Sequence, residues 1–195
     1  MLGDAYIQKK SVNGNALIQF NQGFVHLPYV LFLMQKLAPL CTHYPLLIQS
    51  RDASFSLKLY TRCLLSLNPI LDLFIVNGKK TISPNIVNSI SSRSLAFWAM
   101  DDGSLSESGF YFYTLSYSIE EHLILQKILI YKFNLETNVH KHGNKYKLYI
   151  KAKSMPIFRL IVFPYFIESF YYKLYPKSIN KPNFRKTLEI PIPFN

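Results

Sequence analysis

Cysteine is scarce in this sequence, and a long uncharged apolar run is missing. The two cysteines, Cys41 and Cys63, provide neither a disulfide framework nor the spacing of a zinc site, so we expect both to be thiols in the core. A helix that crosses a bilayer needs about 20 apolar residues in succession. The run Leu123–Tyr131 is interrupted by Gln126 and Lys127, and we therefore expect no membrane partner.

Acidic residues are also few. The 11 Asp and Glu stand against 22 Lys and Arg, which gives a formal net charge of +11. An excess of this size indicates a polyanionic partner, and the lack of a membrane-spanning run favours nucleic acid over an anionic membrane. Apolar residues make up 49% of the 195, enough for a sizeable core in one large domain or in two fused half-domains.

One apolar stretch, Leu95–Gly103, ends in two adjacent carboxylates and a glycine, Asp101-Asp102-Gly103. If the stretch is a helix, both carboxylates lie at its C-terminal end, where the helix dipole repels anions. Local rules are most often broken at functional sites, so this placement favours a functional site. The alternative is a buried helix that simply ends at an Asp-Gly turn, and the stretch alone does not decide between the two.

Periodicity and turn residues predict an alternation of strands and helices. Ser118 and Glu121 form a capping box that opens a helix through Phe133. Gly143-Asn144 predicts a hairpin turn. The other predicted helices are His26–Leu37, Leu64–Val76, Ser154–Phe163 and Ile167–Leu174, and the predicted strands are Ala16–Phe20, Leu46–Gln49, Phe55–Tyr60, Gly109–Ser116, Thr137–His142 and Lys145–Lys151.

The two halves of the chain resemble each other. The stretch 58–62 reads Lys-Leu-Tyr-Thr-Arg and 147–151 reads Lys-Leu-Tyr-Ile-Lys, and an apolar helix is predicted after each. We interpret this as a domain duplication, with one repeat at 1–90, a second at 91–178 and a tail at 179–195. The predicted fold class is α+β, with two pseudo-symmetric αββαββα repeats whose antiparallel sheets form a saddle.

A duplicated basic module has the pseudo-twofold symmetry of duplex DNA. One face of each sheet would carry polar and basic residues toward a groove, and the other would carry apolar residues toward the helices. Any one of these residues is more often a solvated strand position, but the collective charge favours DNA contact. The candidate set is Gln19, Asn21, Gln49, Arg51, Lys58 and Arg62 in the first half and Lys141, Lys145, Lys147, Lys151 and Lys153 in the second.

Two aspartates that meet at the pseudo-twofold axis, one from each repeat, would form an oxygen-rich site for Mg²⁺ or Mn²⁺. Metals held there could promote phosphodiester hydrolysis, with Lys80 and Lys173 neutralising charge on the phosphate. Without the repeat, Lys79-Lys80 is better interpreted as an exposed turn. The pair His140 and His142 could suggest another metal site, but a hairpin arm that touches DNA is the favoured interpretation.

The stretch Leu95–Gly103 resembles the second signature motif of the LAGLIDADG homing endonucleases, in the single-chain, two-repeat branch of organellar introns. The resemblance covers nearly the whole chain, and its most specific part is the form Trp-x-Met-Asp-Asp-Gly at 98–103. It implies a site-specific, metal-dependent DNA endonuclease that acts as a monomer and cuts both strands across the minor groove. It also implies an organellar location, for which we favour the mitochondrion over the plastid. The richness in Phe, Tyr, Ile, Asn and Lys, which AT-rich coding DNA produces, agrees with an organellar genome.

Site residues follow from the same resemblance. It implies catalytic roles for Asp4, Asp102, Lys80 and Lys173, and it places Gln19 on a strand where the family often has a polar residue near the metal. In the second repeat the position of Gln19 corresponds to Leu115, which cannot orient a water. The implied metal set is Asp4, Asp102, Gly3 and Asp101.

The start of the sequence departs from the family pattern. Only Met1 and Leu2 precede Gly3, where the family has most of a helix, so we expect a truncated first-motif helix. We also expect the chain to bind DNA and to cleave it weakly or not at all until an upstream segment is restored. Two alternatives stay open: an RNA maturase that assists intron splicing on the same scaffold, and a DNA-binding remnant with impaired cleavage.

Overall fold

The computed structural model describes residues 2–51 and 53–176, so the predicted tail at 179–195 lies outside the described residues. The first half has one four-stranded antiparallel sheet, two helices on it and a small hairpin after them. Its elements are β1 Tyr6–Lys9, β2 Ala16–Gly23, α1 Leu27–Leu37, β3 Leu46–Gln49, β4 Phe55–Tyr60, α2 Asn68–Phe74, β5 Ile75–Val76 and β6 Lys79–Lys80.

The second half begins with the central helix and repeats the same plan. Its elements are α3 Ser92–Asp102, β7 Gly103–Leu105, β8 Phe110–Phe112, α4 Ile119–Phe133, β9 Thr137–His142, β10 Lys145–Ile150 and α5 Met155–Val162. Short 3₁₀ helices at 24–26, 38–40, 65–67, 84–89, 152–154, 163–165 and 168–173 connect or extend these elements.

The two sheets have the same strand order. The first is β1-β2-β4-β3 and the second is β7-β8-β10-β9, and every neighbouring pair is antiparallel. This repeated topology confirms the α+β class and the duplication predicted from the sequence.

Strong local signals predicted their elements well. Ser118 and Glu121 form the predicted capping box at the start of α4, and Gly143, with φ of 60°, lies in the turn between β9 and β10. The prediction of one helix over Leu64–Val76 was wrong. The helix ends at Phe74, because Asn77 and Gly78 both have positive φ and reverse the chain into the hairpin β5–β6.

The main core surrounds α3. Leu95, Ala96 and Ala99 are fully buried, and the Trp98 indole stacks on Phe112 of β8 with ring centroids 3.9 Å apart. A smaller cluster of Ile7, Ala16 and Leu67 lies under the first sheet. The main cluster contains buried residues of both repeats, so the apolar stretch found in the sequence packs against both, and its acidic end lies between them.

The cysteine prediction was half wrong. Both thiols are free, but Cys63 is exposed and Cys41 is only partly buried, so neither belongs to the fully buried core. Among the described residues, no helix combines the length and apolar character that crossing a membrane requires.

Candidate active site and nucleic-acid interface

Strand registers define which residues of the two repeats are equivalent. Gln19 of β2 pairs with Tyr60, and Tyr111 of β8 pairs with Tyr149, the residue that matches Tyr60 in the repeat. The pairing of Tyr6 with Gln19 and of Ser104 with Tyr111 then aligns the two motifs. Counting back from these strands in each repeat gives three equivalent pairs: Leu2 with Met100, Gly3 with Asp101, and Asp4 with Asp102.

The two predicted lysines make equivalent contacts. The Lys80 ammonium lies 3.1 Å from the Gly3 carbonyl oxygen and 3.4 Å from that of Leu2. The Lys173 ammonium donates to the carbonyl oxygens of Met100 and Asp101, at 2.5 and 3.2 Å. Each lysine therefore binds the two backbone carbonyls just before the aspartate of its own repeat. This symmetry removes the alternative in which Lys80 is only part of an exposed turn.

Asp101 faces the other repeat. Its Oδ1 accepts a 2.6 Å hydrogen bond from the Tyr29 hydroxyl, and its Oδ2 accepts a 3.2 Å bond from the backbone N–H of Asp4. The Asp101 carboxylate therefore already has two partners within the protein. The sequence had placed Asp101 in the metal set. Its carboxylate oxygens bind Tyr29 and Asp4 and its backbone carbonyl accepts from Lys173, so its role as a metal ligand stays a prediction.

Gln22, and not Gln19, contacts the first aspartate. The Gln22 amide donates to Asp4 Oδ2 at 2.5 Å. Gln19 is three residues away on the same strand and faces the opposite side of the sheet, because side chains alternate along a strand. By the same registers the second-repeat equivalent of Gln19 is Tyr111, so the prediction of Leu115 was wrong. The equivalent of Gln22 is Thr114, which is buried and bonded to His122 Nε2 at 2.7 Å.

Tyr29 was missed by the sequence analysis. It lies on α1, 72 residues from its partner Asp101, and no local pattern distinguishes it from the apolar residues around it. Gln22 had a weak signal, because Asn21-Gln22 continues the polar pattern to the end of β2.

The acidic groups and the lysines form one electrostatic cluster. Burial, and then the nearby carboxylates of Asp4 and Asp101, raise the pKa of Asp102 to about 7, while Lys80 and Lys173 oppose the shift. Burial raises the pKa of Asp101 to about 6 against the effect of the Tyr29 hydrogen bond. Burial also lowers the pKa of both lysines, and the three carboxylates counteract it.

The donor set fits a hard divalent cation. Asp4 and Asp102 supply carboxylate oxygens. Burial and then the charge of Asp4 raise the pKa of Asp102, and a bound cation would oppose both effects. Within residues 2–51 and 53–176, no three His, Cys, Asp or Glu side chains group closely enough to complete a metal site. A cation here would therefore rely on the two aspartates and on oxygen atoms from outside their side chains.

The open face of the first sheet is polar in part. Lys58 pairs with Asn21 and with Leu46, and directly paired residues share a face, so Lys58, Asn21, Gln19 and Leu46 lie on one side. Exposed Leu46 and Ile48 add apolar surface that the sequence analysis did not predict.

Three predicted DNA contacts of the first half lie elsewhere. Gln49 pairs with Phe55 and belongs to the opposite face from Lys58. The Arg62 guanidinium donates to the Pro39 carbonyl at 2.7 Å, which ties it to the loop after α1. Arg51 is exposed in the turn that follows β3.

The open face of the second sheet carries aromatic and basic residues. The Lys147 ammonium lies 3.8 Å from the centroid of the Tyr111 ring, and the Tyr111 hydroxyl is 3.0 Å from His140 Nδ1. His140 stacks on Tyr149 with centroids 4.9 Å apart. Lys145, which pairs with His142, shares this face. Because His140 is engaged by two tyrosines, these contacts favour the predicted hairpin arm that touches DNA over a metal site at His140 and His142.

The remaining predicted lysines lie off this face. Lys141 pairs with Tyr146 and projects from the opposite side to its neighbours His140 and His142. Lys151 lies 3.3 Å from the Glu136 carboxylate, and Lys153 pairs with the same group. Exposed ion pairs of this kind are weak, so they do not prevent contact with DNA. Both lysines nevertheless follow the end of β10 at Ile150 and so lie off its open face.

Two antiparallel sheets of the same strand order, with an aspartate–lysine pair at the equivalent position of each repeat, define a two-repeat protein of the α+β class. The chain belongs to the LAGLIDADG DNA endonuclease family, whose profile matches residues 1–158.

Individual relatives agree with this assignment. The chain is 32% identical over 184 residues to the cytochrome b mRNA maturase bI2 of Debaryomyces hansenii, covering 89% of this chain and 70% of that protein. It is 31% identical over 189 residues to the probable intron-encoded endonuclease 1 of Wickerhamomyces canadensis, covering 89% and 80%. The structure of the homing endonuclease I-WcaI bound to its DNA recognition sequence matches with a TM-score of 0.82 at 29% identity, covering 89% and 81%.

Proposed function

We propose that this chain is a site-specific endonuclease of intron homing that hydrolyses both strands of double-stranded DNA and depends on Mg²⁺ or Mn²⁺. The observation that carries the proposal is the matched pair of sites. Asp4 with Lys80, and Asp102 with Lys173, occupy equivalent positions in the two repeats, and each lysine holds the backbone beside its aspartate. A duplex has two scissile phosphates with the same approximate symmetry.

Each lysine has a defined role in this proposal. An ammonium group has three donors, and two of them bind the carbonyl oxygens beside the aspartate. The third donor can bind a phosphate oxygen and stabilise the negative charge that develops on it. Gln22 holds the Asp4 carboxylate in one orientation through its amide.

Asp4 and Asp102 would hold the divalent cation through their carboxylate oxygens. When bound, such a cation activates a water for attack and stabilises the leaving oxygen. The protein's own contribution is to hold the two carboxylates in one buried cluster, where burial and then the charges of Asp4 and Asp101 raise the pKa of Asp102.

The test is the substitution Asp102→Asn, which keeps the shape of the side chain and removes its charge. We expect cleavage of the intronless target in Mg²⁺ to fall on the order of a hundredfold or more, since changes around metal ligands alone cost up to that amount. Binding of the same DNA in EDTA should stay within about twofold. Cleavage by the variant at the rate of the unaltered chain would refute the proposed site.

A second function, assistance in RNA splicing, is favoured by the relative named as a maturase of cytochrome b mRNA, which is 32% identical. A maturase needs the basic surface but not both aspartates. If Asp102→Asn abolishes DNA cleavage and leaves stimulated splicing of the host intron intact, the chain performs both functions on one scaffold. Target binding without any metal dependence would instead identify a DNA-binding remnant.

The oligomeric state and the location of the chain are part of the same proposal. We infer that the chain acts as a monomer, because both halves of the site come from one polypeptide. We also propose that it acts in an organelle, the mitochondrion rather than the plastid. Two observations support this: its amino-acid composition is what AT-rich coding DNA produces, and one relative is named for cytochrome b mRNA.

A further inference from the structure

The Asp101 carboxylate connects the two repeats at the point where their motifs meet. It belongs to the second repeat by position, yet both of its hydrogen-bond donors belong to the first: the Tyr29 hydroxyl at 2.6 Å and the backbone N–H of Asp4 at 3.2 Å. We propose that Asp101 and Tyr29 are positioning residues that clamp the Asp4 backbone, and so set the geometry of one of the two cleavage sites more than that of the other. This inference rests on the nuclease function proposed above.

The clamp is held rigidly. Tyr29 is only 1% exposed, and its ring meets Phe170 edge-on with centroids 5.1 Å apart. This packing holds the ring in the position from which its hydroxyl donates to Asp101. Gln22 holds the Asp4 side chain from the same repeat, so the backbone and the carboxylate of Asp4 are fixed by separate partners.

The same contact leaves no room for a side chain at position 3, which is glycine. A Cβ added at Gly3 would lie 2.3 Å from Asp101 Oδ2 and 2.4 Å from Asp101 Cβ, distances at which one of the two must move. The second-repeat motif thus carries a carboxylate at the position where the first-repeat motif carries no side chain. The Asp101 side chain therefore occupies the space that a side chain at Gly3 would need.

This complementarity makes the clamp one-sided. Asp101 reaches across to Asp4, but its equivalent Gly3 has no side chain with which to reach Asp102. Loss of the clamp should therefore disturb the Asp4 site first. A general loss of stability, in contrast, would slow both sites together, so the ratio of the two strand-cutting rates separates a positioning role from a structural one.

The experiment compares nicking of each strand of a duplex spanning the intron-insertion site, labelled on one strand at a time. The strand assigned to the first repeat is the one slowed more by Lys80→Met than by Lys173→Met. We expect Tyr29→Phe to slow that strand at least fivefold more than the other, and Gly3→Ala to do the same through the displaced Asp101. Tyr131→Phe is the matched control, because Tyr131 is 84% exposed on α4.

Equal slowing of both strands by Tyr29→Phe, or no slowing, would overturn the clamp. If the unaltered chain cuts neither strand, the proposed function fails, and the clamp is then judged by deuterium uptake of the peptide that spans residues 2–9. Faster uptake in Tyr29→Phe than in Tyr131→Phe supports the clamp, since the Asp101 carboxylate that accepts from the Asp4 amide is then no longer held by Tyr29. Unchanged uptake refutes it.

Discussion

Ionisation of Asp102, at the end of α3, destabilises the folded chain when no cation is bound. Its pKa rises from an ordinary 3.8 to about 7, first through burial and then through the neighbouring carboxylates. The folded chain therefore binds more protons than the unfolded chain between these two values. A raised folded-state pKa gives stability at low pH that is lost as the pH rises through the folded value.

We therefore predict that the melting temperature of the chain in EDTA falls as the pH rises from about 5 to about 8. Asp102→Asn, which cannot ionise, should reduce this fall. Each kcal/mol corresponds to about 2–4 °C for a protein of this size, so thermal denaturation monitored by circular dichroism can resolve it. If the melting temperature of Asp102→Asn fell with rising pH as steeply as that of the unaltered chain, Asp102 would not be the group responsible for the fall.

The hairpin β5–β6 is the element that presents Lys80. Its turn depends on Gly78, whose φ of +74° lies in the left-handed region and whose missing Cβ would meet nothing within 4 Å. Gly78→Ala should therefore act through backbone strain alone, at a cost of roughly 1–2 kcal/mol. We predict a matching loss in the free energy of unfolding by urea denaturation.

Gly23 provides the control for this substitution. It is also uncrowded, with the nearest atom 3.8 Å from an added Cβ, but its φ is −57°, which any residue adopts. If Gly78→Ala and Gly23→Ala had equal effects on stability, strain at the turn would not be what holds the hairpin.

The open face of the second sheet makes a separate prediction about binding. Lys147 lies on that face over the Tyr111 ring, whereas Lys141 on the neighbouring strand projects from the other side. Lys147→Ala should weaken DNA binding and reduce the slope of log K against log salt concentration by about 1, the effect of one lost phosphate contact. Lys141→Ala should leave the slope nearly unchanged in the same titration, and equal effects would contradict the face assignment.

Elements with strong local signals were predictable from the sequence, and weakly marked ones were not. The helix α4 and the hairpin β9–β10 follow from a capping box and a turn, and both were predicted nearly residue by residue. The strands β1 and β7, of 4 and 3 residues, were missed, and so were the two-residue strands β5 and β6. Their pairing depends on partners that the sequence does not reveal.

The site shows the same division. The aspartates and lysines were predicted from the repeat and from the family motif, because those residues recur in sequence. Gln22 and Tyr29 could not be identified, because the register of β2 and the packing of α1 on α3 decide which side chains reach Asp4 and Asp101. Alternation within β9 did contain the information that Lys141 and His140 face opposite ways.

At the scale of the whole molecule, duplication and charge are the two organising features. The net charge of +11 draws a polyanion to the chain, and the repeated strand order gives it two similar sheets to contact. The two sheets differ in chemistry: amide and apolar side chains face outward on the first, and aromatic and basic ones on the second. We infer that the two halves of the target are read by different kinds of contact.

Cleavage-site mapping on duplex DNA that spans the intronless insertion locus tests the central claim most directly, with each strand labelled in turn and with Mg²⁺ or EDTA in the buffer. The matched aspartate–lysine pairs predict one cut on each strand, at a single position, in Mg²⁺ only, and lost in Asp102→Asn. Specific binding of the same duplex with no cut on either strand in Mg²⁺ would contradict the claim and leave the chain a binding protein.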